Sequence, residues 1–214
     1  MQKPKPTRFL LVEDQKLLRE LLLAHLREAY LGCEVTEVAT MAELTSLRSM
    51  DSFTLGIVDL ELPDGNSLDW VVDWVKRPSE PKAIVLSSTS EDYVLFRAQH
   101  SGMQGFVHKD DGTEVLHDAI HKVVNGGMFF SEIVQQMRSR MQSDPSFFNK
   151  ILSEREQKLL EYLGQGLNNE DVARALGLSA STIADHRKRI MAKLGIHSQV
   201  ELVRFAVRKG FSRI

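Results

Sequence analysis

Three acidic residues stand where short apolar runs end: Glu13 and Asp14 after Phe9 to Val12, and Asp59 after Leu55 to Val58. Hard carboxylate oxygens with open positions suit Mg²⁺, which binds through one or two carboxylates and keeps several waters beside a phosphate. Lys109 follows the apolar run that begins at Gly105, and Ser87 ends the run that begins at Ala83, which adds a cation and a hydroxyl to the set. A carboxylate is a competent nucleophile toward a phosphoryl group once metal and lysine neutralise the equatorial oxygens. Asp59 is the candidate nucleophile. It opens Asp-Leu-Glu-Leu-Pro-Asp-Gly, in which Pro63 and Gly65 build a tight turn that leaves the preceding loop exposed. The chemistry these residues would perform together is formation of an acyl phosphate.

Such a set needs elements that bring distant residues together. Up to about residue 130, short apolar runs alternate with helix-length amphipathic stretches, the pattern of βα units around a parallel sheet. Five strands are expected, at Phe9–Val12, Glu34–Val38, Leu55–Val58, Ala83–Leu86 and Gly105–Val107. Continuous runs such as Leu-Gly-Ile-Val fit strands covered on both faces. In a doubly wound sheet the carboxyl ends of neighbouring strands open on one crevice at the topological switch point, so the acidic residues, Lys109 and Ser87 should face it. After Gly126-Gly127 comes a polar helical stretch, Ser131 to Gln142, and then Ser-Asp-Pro-Ser, which breaks it. From Ile151 the period is purely helical. Ser153 with Glu156 forms a capping box; Asn168 and Ser179 cap the next two helices, ended by Gly177 and Gly195, and a fourth runs from Gln199 to Lys209. The pair 171–176 and 179–194, joined through Gly177, has helix-turn-helix spacing. The expected division is an α/β domain over 1–130 with a five-stranded doubly wound parallel sheet, a helical linker over 131–150, and an all-α four-helix domain over 151–214.

Bulk properties narrow the function classes. The chain has 214 residues, 43% hydrophobic and 26% charged, with no apolar run near the length a bilayer span needs. Its Met-Gln-Lys-Pro-Lys-Pro start lacks the apolar region of a secretory signal, so a cytoplasmic location with no membrane partner is expected. The single cysteine, Cys33, forms no internal disulfide and reads as structural. Residues 151–214 hold 11 Lys/Arg against 7 Asp/Glu, a balance of +4, leaving −6 for the rest of a chain whose net charge is −2. A basic tail joined to an acidic front suggests that the tail meets a polyanion.

Residues 8 to about 130 resemble the receiver domains of two-component response regulators, whose fold is flavodoxin-like. The resemblance rests on the acidic pair after the first strand, the Asp-x-x-x-Pro-Asp-Gly loop, the Ser ending the fourth strand and Gly-Phe-x-x-Lys at the fifth. It implies Asp59 as phosphoacceptor, Asp14 and Asp59 as Mg²⁺ ligands with the backbone carbonyl of Glu61, and Glu13 as a charge holding the metal through water. It also implies Lys109 and Ser87 on the phosphoryl oxygens, Phe106 as the aromatic that reports phosphorylation, and Glu61 and Thr89 as residues that tune the lifetime of the phosphoryl group. Glu13 departs from the Asp common in the family.

Residues 151–210 resemble the DNA-binding domain of the NarL/LuxR class, through Leu-Ser-Glu-Arg-Glu, Leu-Gly-Gln-Gly-Leu-Asn-Asn-Glu-Asp-Val-Ala, Leu-Ser-Ala-Ser-Thr-Ile-Ala-Asp-His and Lys-Leu-Gly-Ile. The third helix alternates Ile183, Ile190 and Leu194 with Thr182, Arg187, Lys188 and Arg189 at helical spacing, which sets the basic residues outward. The resemblance implies that Thr182, Ala184, Asp185 and Lys188 lie in or beside the major groove, that His186 supports a backbone contact, and that Arg187 and Arg189 contact phosphates or base edges. Ala184 replaces the family's common Lys, and Asp185 sets a negative charge near DNA. An acidic side chain can also accept from cytosine, so altered specificity is one consequence.

The expected function is a DNA-binding regulator switched by phosphorylation of Asp59 from a sensor histidine kinase, with no enzymatic role beyond its own phosphorylation and dephosphorylation. In this class the unphosphorylated receiver often covers the recognition helix, so release is the expected mode. When active it would bind an inverted-repeat promoter site as a homodimer, with Leu202, Val203, Phe205 and Ala206 as the apolar dimer stripe. Two rivals stay open: an adaptor or phosphate sink whose tail recognises protein, supported by Ala184-Asp185, and a metal-dependent phosphatase, for which no general base is visible. His117 and His121, four apart, read as surface histidines for want of a third ligand nearby in sequence. Trp70 and Trp74 read as the apolar stripe of the third helix.

Overall fold

The computed structural model describes residues 7–48 and 50–212, so the Met-Gln-Lys-Pro-Lys-Pro stretch read for targeting lies outside the described residues. The chain divides into two compact units: the residues up to Thr89 with Arg97–Gln135, and Ser90–Phe96 with the chain from Gln136 on.

The first unit holds β1 (Arg8–Val12), α1 (Lys16–Ala29), β2 (Glu34–Val38), α2 (Met41–Ser46), β3 (Leu55–Asp59), β4 (Glu61–Leu62), β5 (Gly65–Asn66), α3 (Leu68–Val75) and β6 (Lys82–Ser87). After α4 (Asp92–His100), whose first half belongs to the second unit, come β7 (Gly105–His108), α5 (Gly112–Val124) and β8 (Phe129–Phe130). The main sheet runs β2-β1-β3-β6-β7-β8, with every neighbouring pair parallel. All five expected strands are present. The sheet has a sixth, β8, in which Phe129 pairs with Gly105 and Phe130 with Phe106. Two residues are too few to carry a period, and only the tertiary ladder makes them a strand.

The strand order explains the crevice. From β1 the chain passes through α1 to β2 on one side, and then returns to β3 on the other, so the loops after β1 and β3 diverge above the same edge. One face of the sheet presents Phe9, Leu11, Ile57, Ile84, Leu86 and Val107 to Leu22 and Leu26 of α1 and to Leu116, Ile120 and Val123 of α5. Cys33 packs against this core with Sγ 3.6 Å from the Leu26 carbonyl, the structural role expected of it. On the other face Trp74 lies over Gly56, where a Cβ would come within 2.4 Å of the indole. Trp74 is buried and donates Nε1–H to Met50 O at 3.4 Å.

The second unit holds most of α6 (Glu132–Ser143), then α7 (Phe148–Ile151), α8 (Glu154–Leu163), α9 (Asn169–Leu176), α10 (Ala180–Leu194) and α11 (Gln199–Lys209). The helix ends follow from local chemistry. Ser153 and Glu156 form a reciprocal capping box, Asn168 accepts from Asp171 N, and Ser179 accepts from Thr182 N. Gly177 and Gly195 end α9 and α10 in the left-handed conformation, at φ of 64° each. Burial of Leu159, Leu160, Leu163, Val172, Ile183, Ile190, Leu202 and Ala206 closes the core.

Candidate functional site

In the first unit, Glu13 ends fully buried beyond β1, its amide donating to Val38 O at 3.0 Å. Asp59 closes β3 at 2% exposure. Glu13, Asp14 and Asp59 each offer a carboxylate oxygen within 4.8 Å of the others. Lys109 Nζ reaches in from the end of β7, 2.7 Å from Asp59 Oδ2 and 3.2 Å from Glu13 Oε1. Burial raises the Asp59 and Glu13 carboxyls above their ordinary values even though Lys109 draws both down. Burial alone would lower Lys109, but hydrogen bonds from its ammonium to the two carboxylates outweigh it and hold the ammonium above its usual value. Glu13 Oε2 pairs with the Lys109 ammonium at 3.0 Å but has no hydrogen-bond partner among the described residues. A buried, unsatisfied carboxylate oxygen beside two more carboxylates fits a hydrated hard cation.

A cavity of about 280 Å³ opens on this cluster, lined by Asp14, Gln15, Asp59, Glu61, Leu62, Pro63, Ser88 and Lys109. Glu61 N donates to Asp59 Oδ1 at 3.1 Å. Pro63 and Asp64 form the two-residue turn between β4 and β5, and the Asp64 carboxylate accepts from Met41 N and Ala42 N at 2.6 and 2.9 Å. The loop after Asp59 is thereby tied to the start of α2. Ser87 ends β6, the strand paired with the one that Asp59 closes. It is fully buried, and its Oγ accepts from Thr89 N at 3.2 Å, which turns the chain after β6 and leaves Ser88 on the cavity wall. Thr89 is buried beside it. Phe106 is fully buried in β7, and its carbonyl accepts from Ser131 N at 2.9 Å and Ser131 Oγ at 3.0 Å.

Arg19 on α1 was missed. Its Nη1 donates to Glu13 O at 2.6 Å and Asp14 O at 3.3 Å, while Glu37 on β2 holds Nε at 3.5 Å. On the sequence it is one of several charged residues on the polar face of α1, and nothing local marks it.

In the second unit, α10 packs against α9 and α8. Its outward residues are Asp185, Lys188 and Arg189, with Thr182, Ala184 and His186 half-buried. Thr182 Oγ1 is 2.7 Å from Ser179 Oγ and so belongs to the helix cap. Arg187 corrects its outward assignment. It is half-buried, its Nη2 donates to Leu167 O at 2.8 Å, and burial lowers the guanidinium from its ordinary value. That bond ties the segment before α9 to α10, while Nε and Nη1 are buried with no hydrogen-bond partner among the described residues. On α11, Leu202 and Ala206 are fully buried, so they are core and not a free dimer face. Ala206 meets Gly164 so closely that a Cβ there would come within 2.5 Å of its own. Phe205 stacks on Phe211 at 6.4 Å. The outward apolar residues of α11 are Val200, 61% exposed, and the half-buried Val203 and Val207.

Two family models match the chain. The response regulator receiver domain matches residues 9–121, and bacterial regulatory proteins of the luxR family match residues 150–206. Among curated relatives, the Fimbriae Z protein of Escherichia coli K12 is 32% identical over 207 residues, covering 94% of this chain and 97% of that one. The oxygen regulatory protein NreC of Staphylococcus epidermidis is 31% identical over 163 residues, 72% of this chain and 75% of its own. Among solved structures, the RcsB response regulator of Salmonella typhimurium has a TM-score of 0.59 at 19% identity, over 95% of this chain and 99% of that one. A structure described as two RcsB dimers bound to two parallel DNAs has a TM-score of 0.60 at 20% identity, over 95% and 99%. Among the described residues no helix is long and apolar enough to cross a membrane. With a receiver domain ahead of a luxR-type domain and a relative matched along nearly its whole length, the chain belongs to the NarL/LuxR family of two-component response regulators.

Proposed function

We propose that this protein is a transcriptional regulator switched by phosphorylation of Asp59. A sensor histidine kinase supplies the phosphoryl group: an Asp59 carboxylate oxygen bonds to phosphorus as the phosphorus–nitrogen bond of the kinase phosphohistidine breaks. Lys109, already within hydrogen-bond distance of Asp59, neutralises charge on the transferring oxygens. Asp14 and Asp59 would hold Mg²⁺ with the Glu61 carbonyl, and Glu13 would take a metal-bound water on its unsatisfied oxygen. When bound, Mg²⁺ supplies electrostatic stabilisation of the phosphoryl oxygens. Ser87 and Phe106 then relay the change, and Glu61 and Thr89 tune how long it lasts. The chain's own chemistry ends with this phosphorylation and its hydrolysis.

The receiver occupies 1–130, a helical linker 131–150 and the effector 151–214, and the protein works in the cytoplasm. Asp185, Lys188 and Arg189, with Thr182, Ala184 and His186 beside them, meet double-stranded DNA at an inverted repeat. RcsB, of the same fold, is described as dimers on DNA, and here Val200, with the half-buried Val203 and Val207, is the outward apolar surface of α11 that would meet a second copy.

The observation that carries this reading is the Lys109–Asp59 pair beside two more carboxylates, on a chain that also holds the helix-turn-helix. The experiment is DNA affinity of wild type and Asp59→Asn against a randomised duplex pool, with and without Mg²⁺ and a small phosphodonor. Tightening confined to wild type, on one inverted repeat, supports it. Selection of no sequence by either protein overturns it in favour of an adaptor, a reading that the outward Asp185 on α10 favours.

A further inference from the structure

His117 lacks a neighbouring third ligand in sequence, but the fold supplies a partner from another helix. His25 on α1 and His117 on α5 bring their ring centroids to 5.2 Å with planes 84° apart. Two imidazoles sharing one tetrahedral Zn²⁺ at about 2.0–2.1 Å have ring centres roughly 5 Å apart. His25 Nε2 is buried and has no hydrogen-bond partner among the described residues. Such a nitrogen costs stability in the empty fold and has a lone pair or proton to give.

Both rings line a cavity of about 360 Å³ whose other walls are Thr113, Glu114 and Asp118. Glu114 and His117 stand three apart on α5, the spacing by which a helix turns a carboxylate and an imidazole to one side. Asp118 Oδ1 lies 3.7 Å from His117 Nδ1, a carboxylate beside the ring. Imidazole with carboxylate, on a wall otherwise free of cations, selects a divalent transition metal over Mg²⁺ or an anion.

We propose that His25, His117 and Glu114 form a second metal site, for Zn²⁺ or a similar transition-metal ion, between α1 and α5 of the receiver and separate from the acidic crevice. Among the described residues only Glu13, Asp14 and Asp59 already hold three ligand atoms within 4.8 Å, so the exposed Glu114 turns inward when the ion arrives. Solvent fills the fourth position.

The test is calorimetric titration of the full-length protein with Zn²⁺ in excess Mg²⁺, which keeps the acidic crevice occupied. One Zn²⁺ per chain is expected, weakened ~10-fold or more in His25→Ala and His117→Ala, less in Glu114→Gln, and unchanged in His121→Ala. Because His25 is half-buried, the exposed His117→Gln gives a second reading. Co²⁺ should show tetrahedral d–d bands in wild type and none in His117→Gln at equal far-ultraviolet ellipticity. The proposal is overturned if wild type binds no Zn²⁺, if the His25/His117 double variant binds it equally well, or if Asp59→Asn or His121→Ala abolishes binding instead.

Discussion

The guanidinium of Arg19 lies 2.6 Å from the main-chain oxygen of Glu13 and 3.3 Å from that of Asp14, so one cation clamps both carbonyls of the acidic loop. Among the described residues the loop has no regular ladder beyond the Glu13 N–Val38 O bond, and both of its carboxylates crowd that of Asp59. Charge-assisted bonds to the backbone fix them in place beside Asp59. Arg19→Ala should therefore lower Mg²⁺ affinity by roughly tenfold, about 1.4 kcal/mol, while leaving the fold intact. Amide shifts of Asp14 and Gln15 followed through a Mg²⁺ titration would measure it. Equal affinity in Arg19→Ala and wild type would reduce Arg19 to a surface charge.

Lys109 is the sole cation hydrogen-bonded to the buried side-chain carboxylates of Asp59 and Glu13 among the described residues. Removing one partner of a buried ion pair costs about 3–5 kcal/mol, because the other charge stays in a low dielectric. Without Mg²⁺, Lys109→Met should be destabilised on that scale in urea, and saturating Mg²⁺ should return part of the loss by binding only the folded state. Phosphorylation of Asp59 should fall in either condition. A Lys109→Met protein as stable as wild type without Mg²⁺ would contradict the burial and pairing described for this site.

These sites were legible in the sequence to different depths. The caps at Ser153 and Ser179 could be read because each is completed within four residues. The meeting of Glu13, Asp14, Asp59 and Lys109 followed from strand ends in a doubly wound sheet, where topology does the gathering. Which way a side chain turns was not legible. Ser87 and Ser88 differ only in which one spends its hydroxyl or its exposure on the turn after β6. Leu202 and Ala206 read as a stripe, but whether a stripe meets a partner or its own core depends on α8 lying beside it. Arg187 and the His25–His117 pair depend on contacts between elements far apart in sequence, which no local period reports.

Glu156 sets up a pH dependence within the second unit. Its buried carboxylate accepts from Lys193 Nζ at 2.7 Å and from Ser153 N at 2.9 Å. Burial alone would raise its pKa, but these partners win and hold it below the ordinary value. A depressed folded value means that its stabilisation is complete above the unfolded value, about 4.3, and is lost as pH falls through the folded one. Glu156→Gln should speed exchange of the α8 and α10 amides at neutral pH by an amount equivalent to about 1–3 kcal/mol. The gap from wild type should narrow below about pH 4. A gap that is the same at pH 3 and pH 7 would mean that Glu156 acts through packing and not charge.

Lys188 and Asp185 are both outward on α10, three residues apart, with opposite charges. If Lys188 neutralises a phosphate, Lys188→Ala should weaken binding to all sequences alike and reduce the slope of log affinity against log salt by about one. Asp185 acts in one of two distinguishable ways. As a like charge near the backbone, it lowers affinity uniformly, and Asp185→Asn should tighten every duplex. As an acceptor for a cytosine amino group, it specifies a base worth about 1–3 kcal/mol, and Asp185→Asn should relax selection at one position per half-site while leaving random duplex affinity the same or higher. Selection from a randomised pool at two salt concentrations separates these outcomes, and the half-buried Ala184 next to it favours the second. Ala184 has no side chain long enough to reach a base, whereas the carboxylate at 185 is exposed.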